Sequence, residues 1–469
     1  MNSETVNKLP AAFLERMRAL LPNDFDAFLA SYHQEPQRGL RINPLKCTER
    51  TVSQLSEFPL RPTGFEPLGY YLDRTEVGTG NHPLHHAGAF YLQEPAAMIP
   101  AASAYIAEGD YVLDVCAAPG GKSTQLAARI GCTGMLVANE FVPARAKILL
   151  SNIERLGIQN AIVTNTDAAH LAEWYPECFD CVLVDAPCSG EGMFRKNPDA
   201  IAEWSKETVA MCAARSYDIL SAAECCLRPG GTLIYSTCTF AAEENELLIA
   251  HFLSTHPDYT IEPLPASVQA ITTPGIALTE CREDLTRTAR CYPHITGGEG
   301  QYVCVMRRAG DTERRAIPVG KDSERLTRDE QRAIDALFGE LFDKDLWPTV
   351  IKYRGLLYAI PAHLQVSGSC FSLGARIGEF KGSRIAPHHH LFSAWGSTMR
   401  RTWCFAHDDP RVLRYLHGET IQITDADTVG EAGDGFGCVT VDGCPLGGAK
   451  RVGDVLKNHY PKGLRIQGV

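Results

Sequence analysis

The chain has 469 residues and a formal net charge of −11, with 45% hydrophobic and 22% charged residues. This composition is ordinary for a folded globular protein and argues against a disordered or fibrous chain. No run of about 18 apolar residues is present, so we expect no transmembrane helix. The acidic balance also lacks the basic signature of many nucleic-acid-binding proteins, which leaves only local patches for phosphate contacts.

The cysteines indicate a reducing compartment. The chain has 17 of them, an odd number scattered from Cys47 to Cys444, whereas disulfide frameworks belong mostly to short secreted chains. The first residues lack a basic region followed by an apolar stretch, so we expect no secretory signal and a cytoplasmic protein. The single CxxC pair, Cys178 and Cys181, has no second pair at zinc spacing and is interpreted as two ordinary strand residues.

The first 35 residues have the spacing of two amphipathic helices. In the first, Phe13, Met17 and Leu20 share one face, and the second follows a proline. An irregular stretch containing Arg41–Pro44 comes next, and the segment 84–100 leads into the central part of the chain. We therefore expect a helical N-terminal region before the main domain.

Between residues 111 and about 307, short apolar runs alternate with helical patterns. This alternation, with strands rich in Val, Ile and Leu, predicts an α/β domain whose mostly parallel sheet is covered on both faces by helices. Ligands of such sheets bind at the carboxyl ends of the strands. The predicted strands are 111–115, 134–140, 161–165, 181–185, 231–236 and 300–307, and the predicted helices are 121–131, 143–157, 199–228 and 242–256.

The remainder of the chain is less regular. The charged stretch 307–330 is predicted to be a linker, and a short mixed region separates it from a terminal segment that starts at about residue 376. That segment has 12 Lys or Arg against 10 Asp or Glu, so it is less acidic than the rest of the chain. Such a tail on an acidic protein is a mild indication of a module that faces RNA.

The segment Asp114–Ser123 combines the end of a predicted strand, a turn and the start of a helix. Gly120 and Gly121 have no Cβ, so a ligand can approach the backbone closely there. A phosphate-binding P-loop is one interpretation, because the final Gly-Lys-Ser matches it, but Cys116 stands where its first glycine is required. The dinucleotide fingerprint GxGxxG is absent as well.

Three carboxylates follow later strands. Glu140 lies 19 positions beyond Gly121, a spacing that suits a carboxylate accepting hydrogen bonds from ribose hydroxyls. Asp167 and Asp185 follow the third and fourth strands and can face the same crevice, although Asp167 is nearly as well explained as a solvated loop residue. Because no cradle for a pyrophosphate is evident, an adenosine ligand without phosphates fits best, and S-adenosylmethionine is the obvious cofactor. The alternative is a glycine-rich turn with a surface glutamate.

Two cysteines stand at strand ends beside this crevice, Cys188 after the fourth strand and Cys238 after the strand 231–236. Most cysteines in cytosolic proteins are small buried hydrophobes, so position alone singles these two out only weakly. A pair of thiols suits methylation at carbon 5 of cytosine. One thiolate adds to carbon 6 and makes carbon 5 nucleophilic. A second thiol helps to release the first from carbon 6, and Asp185 is placed as the acid beside ring nitrogen 3 that stabilises the addition.

Two other classes of function stay open on the residues alone. A nucleotide hydrolase would use Gly121, Lys122 and Ser123, but the first glycine of its loop is missing. A non-catalytic ribosome-assembly factor would bind RNA through the tail, although intact Cys188 and Cys238 argue against lost catalysis.

Three ordered motifs, Asp114–Ser123, Asp185–Gly190 and Ser236–Thr239, resemble those of the Sun-type (NSUN) RNA cytosine-5 methyltransferases. The resemblance covers about residues 36–307. The family usually has aromatic residues where Gln301-Tyr302 stand. The segments similar to its N-terminal and closing motifs are Arg41–Pro44, Tyr91–Pro95 and Arg290–His294 with Gly297–Gln301.

The resemblance implies a Rossmann-like class I methyltransferase domain with S-adenosylmethionine as cofactor, and no metal is expected. It assigns Cys238 as the nucleophile, Cys188 as the residue that helps to release the product, and Asp185 as a contact to the target base as well as the cofactor. The positions that match the family's cofactor-binding residues are Cys116, Ala117, Ala118, Pro119, Gly120, Gly121, Lys122, Glu140, Asp167 and Asp185.

Two segments of the C-terminal region resemble one particular group within this family. Gly378–Lys381 and Lys457–Arg465 look like the bacterial RsmF-type enzymes, which carry a PUA-like RNA-binding module after the catalytic domain and modify 16S ribosomal RNA of the small subunit. Small-subunit ribosomal RNA is therefore the expected partner, with transfer RNA as the alternative. No membrane partner is expected. The chain is expected to be a monomer, since nothing demands a dimer. The expected domains are an N-terminal helical and RNA-binding region (1–105), the methyltransferase domain (106–308), a linker with a small mixed domain (309–375) and a PUA-like domain (376–469).

A base inside a paired RNA helix is out of reach of a thiol, so the target cytosine must be unpaired or flipped out. The tract His388–His390 has no further metal ligands in view and is interpreted as exposed loop histidines. Arg195 and Lys196 are equally well explained as a solvated loop pair. The candidate phosphate partners are Arg41, Lys122, Arg195, Lys196 and the basic residues of the tail.

Overall fold

The structure, a computed structural model, describes residues 6, 8–47, 55, 58–72, 78–317, 323–361 and 370–466. The predicted linker 307–330 lies in part outside this range, because residues 318–322 are not among those described. None of the helices in these ranges combines the length and the hydrophobicity that a membrane span requires.

The N-terminal region contains the two predicted helices, at Ala11–Leu20 and Phe25–Ser31. Phe13 and Met17 are fully buried, as their spacing predicts. The ring of Phe13 packs edge-on against Phe194 of the central domain, with 5.1 Å between the ring centres. The prediction of amphipathic helices is confirmed, and their apolar faces cover part of the central domain.

The stretch around Arg41, expected to be irregular, is a strand. Arg38–Ile42 pairs with a strand on each side in a small antiparallel sheet. Two of its five residues are arginines and one is a glycine, so the sequence lacks the alternation of apolar and polar residues that normally indicates a strand. The short helices Pro83–His86 and Pro95–Ala102 lie on either side of the last strand. The order of this sheet is Leu60–Pro62, Gly69–Leu72, Arg38–Ile42 and Phe90–Leu92.

The predicted, mostly parallel sheet is confirmed. Its six main strands are β1 (Tyr111–Asp114), β2 (Met135–Asn139), β3 (Ala161–Thr164), β4 (Phe179–Asp185), β5 (Leu227–Thr237) and β6 (Gln301–Arg308). They lie in the order β3-β2-β1-β4-β5-β6, with β1 to β5 parallel and β6 antiparallel to β5. Because the strand order reverses between β1 and β4, a crevice for a ligand is expected at the carboxyl ends of these two strands.

Four shorter strands extend this sheet to ten. One of them, Cys370–Leu373, runs antiparallel to β3, so a segment from beyond the predicted methyltransferase domain completes that edge. The other three are Tyr259–Ile261, Thr273–Pro274 and Ala289–Cys291. The helices of the domain are Gly121–Ile130, Pro143–Arg155, Ala168–Trp174, Pro198–Glu203, Lys206–Ala223, Glu246–Thr255, Ala266–Gln269 and Pro293–Thr296.

The central sheet has an apolar core on each face, because successive residues of a strand point to opposite sides. Val112 of β1 belongs to one core, with Leu126 and Leu149 of two helices. The next residue, Leu113, belongs to the other core, with Leu220 of the helix Lys206–Ala223. The prediction that helices cover both faces is therefore confirmed.

Two helices differ from the prediction. The expected helix 199–228 is divided before Ser205, whose side chain accepts the N–H of Thr208 at 3.0 Å and starts a new helix. The helix Ala168–Trp174 was missed, because seven residues are too few to show a helical period.

Residues 323–387 contain a second antiparallel sheet, and the helix Arg328–Leu341 packs on it through Leu337 and Phe338. Its strands are Ser323–Glu324, Thr349–Tyr353, Leu356–Ile360, Ala375–Lys381 and Arg384–Pro387. The predicted limit between residues 375 and 376 falls inside this sheet. The division of the chain into four domains stays a prediction.

The C-terminal region is a six-stranded sheet with the helices His389–Trp395 and Pro410–Leu416. One apolar core joins it to the N-terminal sheet, since Phe90 of that sheet lies in the same buried cluster as Trp403 and Val439. The two ends of the chain therefore share a core. The order of the C-terminal sheet is Ile421–Gln422, Val455–Asn458, Cys444–Val452, Gly435–Val441, Arg401–Phe405 and Thr428–Gly430.

Candidate active site

The loop that follows β1 forms one wall of the crevice, and neighbouring elements fix its backbone. The N–H of Ala117 donates to the carbonyl of Asn139 at 2.8 Å. The carbonyl of Ala118 accepts from Nη2 of Arg145 at 2.9 Å, and the peptide bond that follows, to Pro119, is cis. The predicted cofactor loop is therefore held by the end of β2 and by the helix after it.

The two glycines of this loop are needed for its path. Gly120 has a φ of +113°, a conformation that L side chains rarely adopt. A Cβ at Gly121 would lie 3.3 Å from the side chains of both Gln93 and Tyr91. Any other residue would strain the turn at Gly120 or crowd the neighbours of Gly121, so the two glycines allow the loop to pack closely.

Asp114 is a buried carboxylate beneath the loop, at the end of β1. It is 1% exposed, and its Oδ2 accepts the hydroxyl of Ser123 at 2.6 Å. Among the described residues its Oδ1 has no hydrogen-bond partner. Burial raises the pKa of Asp114 to about 7. The crevice thus has an acceptor oxygen at its base that no protein donor uses.

Glu140 and Asp167 stand just beyond the carboxyl ends of β2 and β3, where the sequence predicts them. Glu140 is 3% exposed; its carboxylate accepts the N–H of Val142 at 2.8 Å and pairs with Arg145 at 3.2 Å. The side chain of Asp167 is 47% exposed and caps a helix by accepting the N–H of His170 at 3.0 Å, a bond that lowers its pKa. Asp167 is therefore the more accessible of the two.

Asp185 and Lys122 form an ion pair in the crevice. Nζ of Lys122 lies 2.8 Å from Oδ2 of Asp185, and the hydroxyl of Ser236 donates to Oδ1 at 2.7 Å. Burial alone would lower the pKa of Lys122, but the charge and hydrogen bond of Asp185 outweigh it and the pKa is raised. The ammonium group of Lys122 is therefore held in its charged form beside Asp185, whose side chain stays 28% exposed.

The two predicted cysteines meet at the same edge of the sheet. Their sulfurs, Sγ of Cys188 and Sγ of Cys238, are 3.3 Å apart, and the backbone N–H of Cys238 also donates to the sulfur of Cys188 at 3.3 Å. The hydrogen bond with Cys238, followed by burial and the charge on Cys238, raises the pKa of Cys188 well above its usual value. By contrast, Cys178 and Cys181 are buried in and beside β4, as their interpretation as ordinary strand residues predicts.

Both sulfurs line an open cleft of about 600 Å³. This volume is within the usual range of small-molecule sites and is sufficient for a nucleotide. The thiols are therefore reachable from the surface. The other residues that line the cleft are Ser189, Gly190, Met193, Asn197, Ala200, Glu203, Thr208, Met211, Cys212 and Arg215.

Two predicted phosphate partners prove to be buried. Arg41 is 2% exposed and donates to the hydroxyl of Thr124 at 2.7 Å. Arg195 is 5% exposed and donates to Glu299 at 3.1 Å and to the carbonyl of Gly298 at 2.9 Å. Neither guanidinium can reach RNA, so both predictions are wrong, as is the interpretation of Arg195 as solvated.

The histidine tract is not an exposed loop. His388 caps the helix that begins at His389, and both His389 and His390 are buried. The Nε2 of His390 lies 2.9 Å from the carbonyl oxygen of Ile158. Within the described ranges, no three His, Cys, Asp or Glu side chains are grouped so that they could hold a metal ion.

Sequence reasoning missed two buried acids behind the thiols. Glu244 is fully buried, and its carboxylate accepts from Ser189. Glu191 is also fully buried and accepts the indole N–H of Trp204 at 2.9 Å and the backbone N–H of Phe240 at 3.2 Å. The available signal was the run of four polar residues at 243–246, shortly after the Cys238 motif.

Three family models match successive parts of the chain. They are the N-terminal domain of 16S rRNA methyltransferase RsmF over residues 9–95, 16S rRNA methyltransferase RsmB/F over residues 104–307, and the methyltransferase RsmF PUA domain over residues 404–466. These matches confirm the predicted class I methyltransferase fold with an N-terminal domain and a C-terminal PUA domain.

Similarity also extends along nearly the whole chain. It is 33% identical to ribosomal RNA small subunit methyltransferase F of Serratia proteamaculans (strain 568), over 98% of this chain and 97% of the relative. It is 32% identical to the protein of that name from Klebsiella pneumoniae (strain 342), over 99% and 98% of the two chains. A solved methyltransferase homolog protein from Pyrococcus horikoshii is 26% identical, with a TM-score of 0.56, over 66% of this chain and 100% of the other. The chain belongs to the RsmF family of 16S rRNA methyltransferases.

Proposed function

We propose that this chain methylates carbon 5 of a cytosine in 16S ribosomal RNA, with S-adenosylmethionine as the methyl donor and through a covalent bond between Cys238 and carbon 6 of the base. The observation that carries the proposal is the 3.3 Å separation of the Cys188 and Cys238 sulfurs. Asp185 at the end of β4 pairs in register with Ser236 of β5, two residues before Cys238. Membership of the family supports RNA methylation in general, and the paired thiols favour carbon 5 of cytosine, which needs a nucleophile to activate it.

Cys238 is the nucleophile of this proposal. Its thiolate forms a bond to carbon 6, and the electron pair of the 5,6 double bond becomes available at carbon 5, which then forms the new carbon–carbon bond. When bound, S-adenosylmethionine supplies an electrophilic methyl group and is left as S-adenosylhomocysteine when the sulfur–methyl bond breaks. Asp185, held by Lys122 and Ser236, delivers a proton to the ring nitrogen, where negative charge develops during addition, and takes it back on release.

Cys188 serves the release step. Cys188, after losing its own proton to the solvent in the cleft, accepts the proton of carbon 5. The electron pair of that C–H bond re-forms the double bond, and the bond between carbon 6 and sulfur breaks so that Cys238 departs as a thiolate. The hydrogen bond with Cys238 and its charge are among the causes that hold the pKa of Cys188 high. Covalent capture makes Cys238 a neutral thioether and removes both of these causes. Cys188 is then easier to deprotonate at the step that requires a base.

The residues around the crevice fit an adenosine ligand. Asp114 lies shortly before the loop Cys116–Lys122, and among the described residues its Oδ1 has no hydrogen-bond partner. We assign this loop to the cofactor, with Glu140 accepting from the ribose hydroxyls. Asp167 and Asp185 complete the acceptors at the ends of the neighbouring strands. The missing first glycine and the family both argue against a nucleotide hydrolase.

Ribosomal RNA is the proposed partner because the relatives that cover the whole chain are named for the small ribosomal subunit. Transfer RNA is the alternative substrate for the same chemistry, and a non-catalytic rRNA-binding factor is the alternative without chemistry. A monomeric state and a cytoplasmic location stay predictions.

The test is to incubate the purified protein and labelled S-adenosylmethionine with small ribosomal subunits, naked 16S ribosomal RNA and transfer RNA, and to identify 5-methylcytosine by mass spectrometry. Product in the ribosomal substrates alone supports the proposal. Product in transfer RNA alone keeps the chemistry and overturns the substrate. Binding of ribosomal RNA without product in any arm overturns the chemistry and favours the assembly factor.

A further inference from the structure

A hydrogen bond joins the two loops that carry the cysteines. Ser189 follows Cys188 and Thr239 follows Cys238, and the two hydroxyl oxygens lie 2.9 Å apart. Ser189 is 9% exposed and Thr239 is 1% exposed, so the bond is shielded from water. It connects the loop after β4 to the loop after β5 at a point one residue away from each sulfur.

Glu244 holds the Ser189 end of this connection. Its Oε2 accepts the backbone N–H of Ser189 at 2.9 Å, and its Oε1 accepts the hydroxyl of the same residue. When Glu244 is ionised, the Ser189 hydroxyl gives its only proton to this carboxylate and accepts the proton of Thr239. The result is a directed chain of hydrogen bonds from Thr239 through Ser189 to Glu244.

The carboxyl group of Glu244 is fully buried, and burial raises its pKa to about 7. Its backbone is fixed as well, since the hydroxyl of Tyr235 donates to the Glu244 carbonyl at 2.6 Å. Burying a carboxyl group costs free energy that burying an apolar side chain would not. The two hydrogen bonds to Ser189 therefore indicate that Glu244 positions the loop that contains Ser189.

Asn245 holds the other loop on both sides of the sulfur. Its Oδ1 accepts the hydroxyl of Thr237 at 2.6 Å, and its Nδ2 donates to the carbonyl of Thr239 at 3.0 Å. These are the residues directly before and after Cys238. Asn245 is itself fully buried, so its amide is committed to this loop.

We infer that Glu244 and Asn245 are positioning residues for the two-thiol reaction: two consecutive side chains that fix the Cys188 loop and the Cys238 loop relative to each other. The inference rests on the proposed function. A displacement of about 1 Å between reacting groups can cost about a hundredfold in rate. The release step depends on both thiols at once, so it is the step most sensitive to a change in their separation.

The decisive pair of variants is T239V and T239S. Valine keeps the shape of threonine but removes the proton donor of the chain to Glu244, whereas serine keeps the donor. We expect T239V to lower kcat by about ten- to a hundredfold, to leave KM for RNA within about twofold, and to raise the fraction of enzyme trapped on RNA as a covalent adduct in a denaturing gel. T239S restores both values.

E244Q tests the other end of the chain. A carboxamide has an NH2 donor in place of one of the two acceptor oxygens, so either the N–H or the hydroxyl of Ser189 loses the acceptor that it has in the wild type. We expect the same fall in kcat and the same accumulation of adduct as in T239V. The matched control is T288V, which loses a buried hydroxyl that donates to the carbonyl of Leu285 at 2.8 Å, away from both cysteine loops.

The outcomes separate the inference from the function on which it rests. Wild-type kcat and adduct levels in T239V, or a T239S protein as impaired as T239V, would overturn the positioning role. So would an equal change in T288V, because a general loss of stability would then explain all the variants. Wild-type protein that forms no 5-methylcytosine would overturn the proposed function itself, and the positioning role with it.

Discussion

The Nζ of Lys122 lies 2.8 Å from Oδ2 of Asp185, and this pair links the cofactor loop to the end of β4. Lys122 belongs to the Gly-Lys-Ser sequence that suggested a phosphate-binding loop, yet its ammonium group is committed to a carboxylate of its own chain. The lysine therefore neutralises and orients an acid that we assign to the target base.

Replacing Lys122 by Met leaves Asp185 with the Ser236 hydroxyl as its remaining donor. We expect kcat for methyl transfer to fall by about 10²–10³-fold, comparable to the loss of one preorganised donor in other active sites. Single-turnover transfer of label to 16S ribosomal RNA measures the effect, and K122R, which keeps the charge, is the control. A K122M enzyme within twofold of wild type would remove Lys122 from the mechanism.

Replacing each cysteine by Ala should give two different defects. C238A lacks the group that adds to carbon 6 and should form neither product nor adduct. C188A retains that nucleophile, so enzyme bound covalently to RNA should accumulate and migrate as a slower band in a denaturing gel. An unshifted C188A band after the reaction would contradict the two-thiol scheme, and methylation by C238A would contradict the assignment of the nucleophile.

The buried ion pair of Arg195 and Glu299 predicts a stability defect. Their side chains are 4% and 1% exposed, so R195M removes the close partner of a buried carboxylate, leaves it the 3.9 Å contact to Lys196, and should cost about 3–5 kcal/mol of unfolding free energy. Urea denaturation measures the loss. The neighbouring Lys196, whose side chain is 27% exposed, provides the control K196M, with an expected change below about 1 kcal/mol. Equal stability of the two variants would refute the structural role of Arg195.

Glu154 should make stability depend on pH. Burial raises its pKa to about 7, and burial lowers the pKa of the adjacent His388 to about 3, so their 4.0 Å contact is not an ion pair at pH 5. An acid with a raised pKa in the folded state stabilises that state fully below its ordinary pKa, and the stabilisation is lost as the pH rises to about 7. E154Q does not titrate.

We therefore expect the stability of E154Q relative to wild type to rise by about 3 kcal/mol between pH 4.5 and pH 7.5. Other buried acids, such as Asp114, titrate in both proteins and cancel in this difference. Urea unfolding at several pH values measures it. A difference that does not vary with pH would show that folding leaves the pKa of Glu154 unchanged and would contradict the prediction.

Deleting residues 404–466 should damage the N-terminal sheet. Phe90 and Leu40 lie in the same buried cluster as Phe405 and Val439, which the deletion removes, so their apolar surface becomes exposed to water. Hydrogen exchange in the strands Arg38–Ile42 and Phe90–Leu92 should accelerate strongly. Native-like protection of these strands in the shortened protein would mean that the N-terminal sheet folds without its partner.

The sequence supported accurate predictions where the signal was local. The strands β1 to β5 are short apolar runs, and the residues of the candidate site follow them directly, so the crevice and the meeting of Cys188 with Cys238 could be anticipated. The strand Cys370–Leu373 could not, because its partner β3 is distant in the chain and pairing across such a gap leaves no local pattern.

Burial of charge was equally hidden. The sequence does not show whether the five N–H donors of an arginine contact water or protein acceptors. Arg41 and Arg195 were therefore predicted to be accessible to RNA. Glu244 was missed for the same reason, since only the fold shows that both of its oxygens accept from Ser189.

The core shared by the two ends of the chain has a consequence for synthesis. A ribosome delivers Leu40 and Phe90 long before Trp403 and Val439, which complete their packing. Until then a nascent or prematurely terminated chain presents apolar surface of the kind that chaperones and proteases recognise. Only a chain that has been translated at least as far as Val439 can close the core that its N-terminal sheet shares.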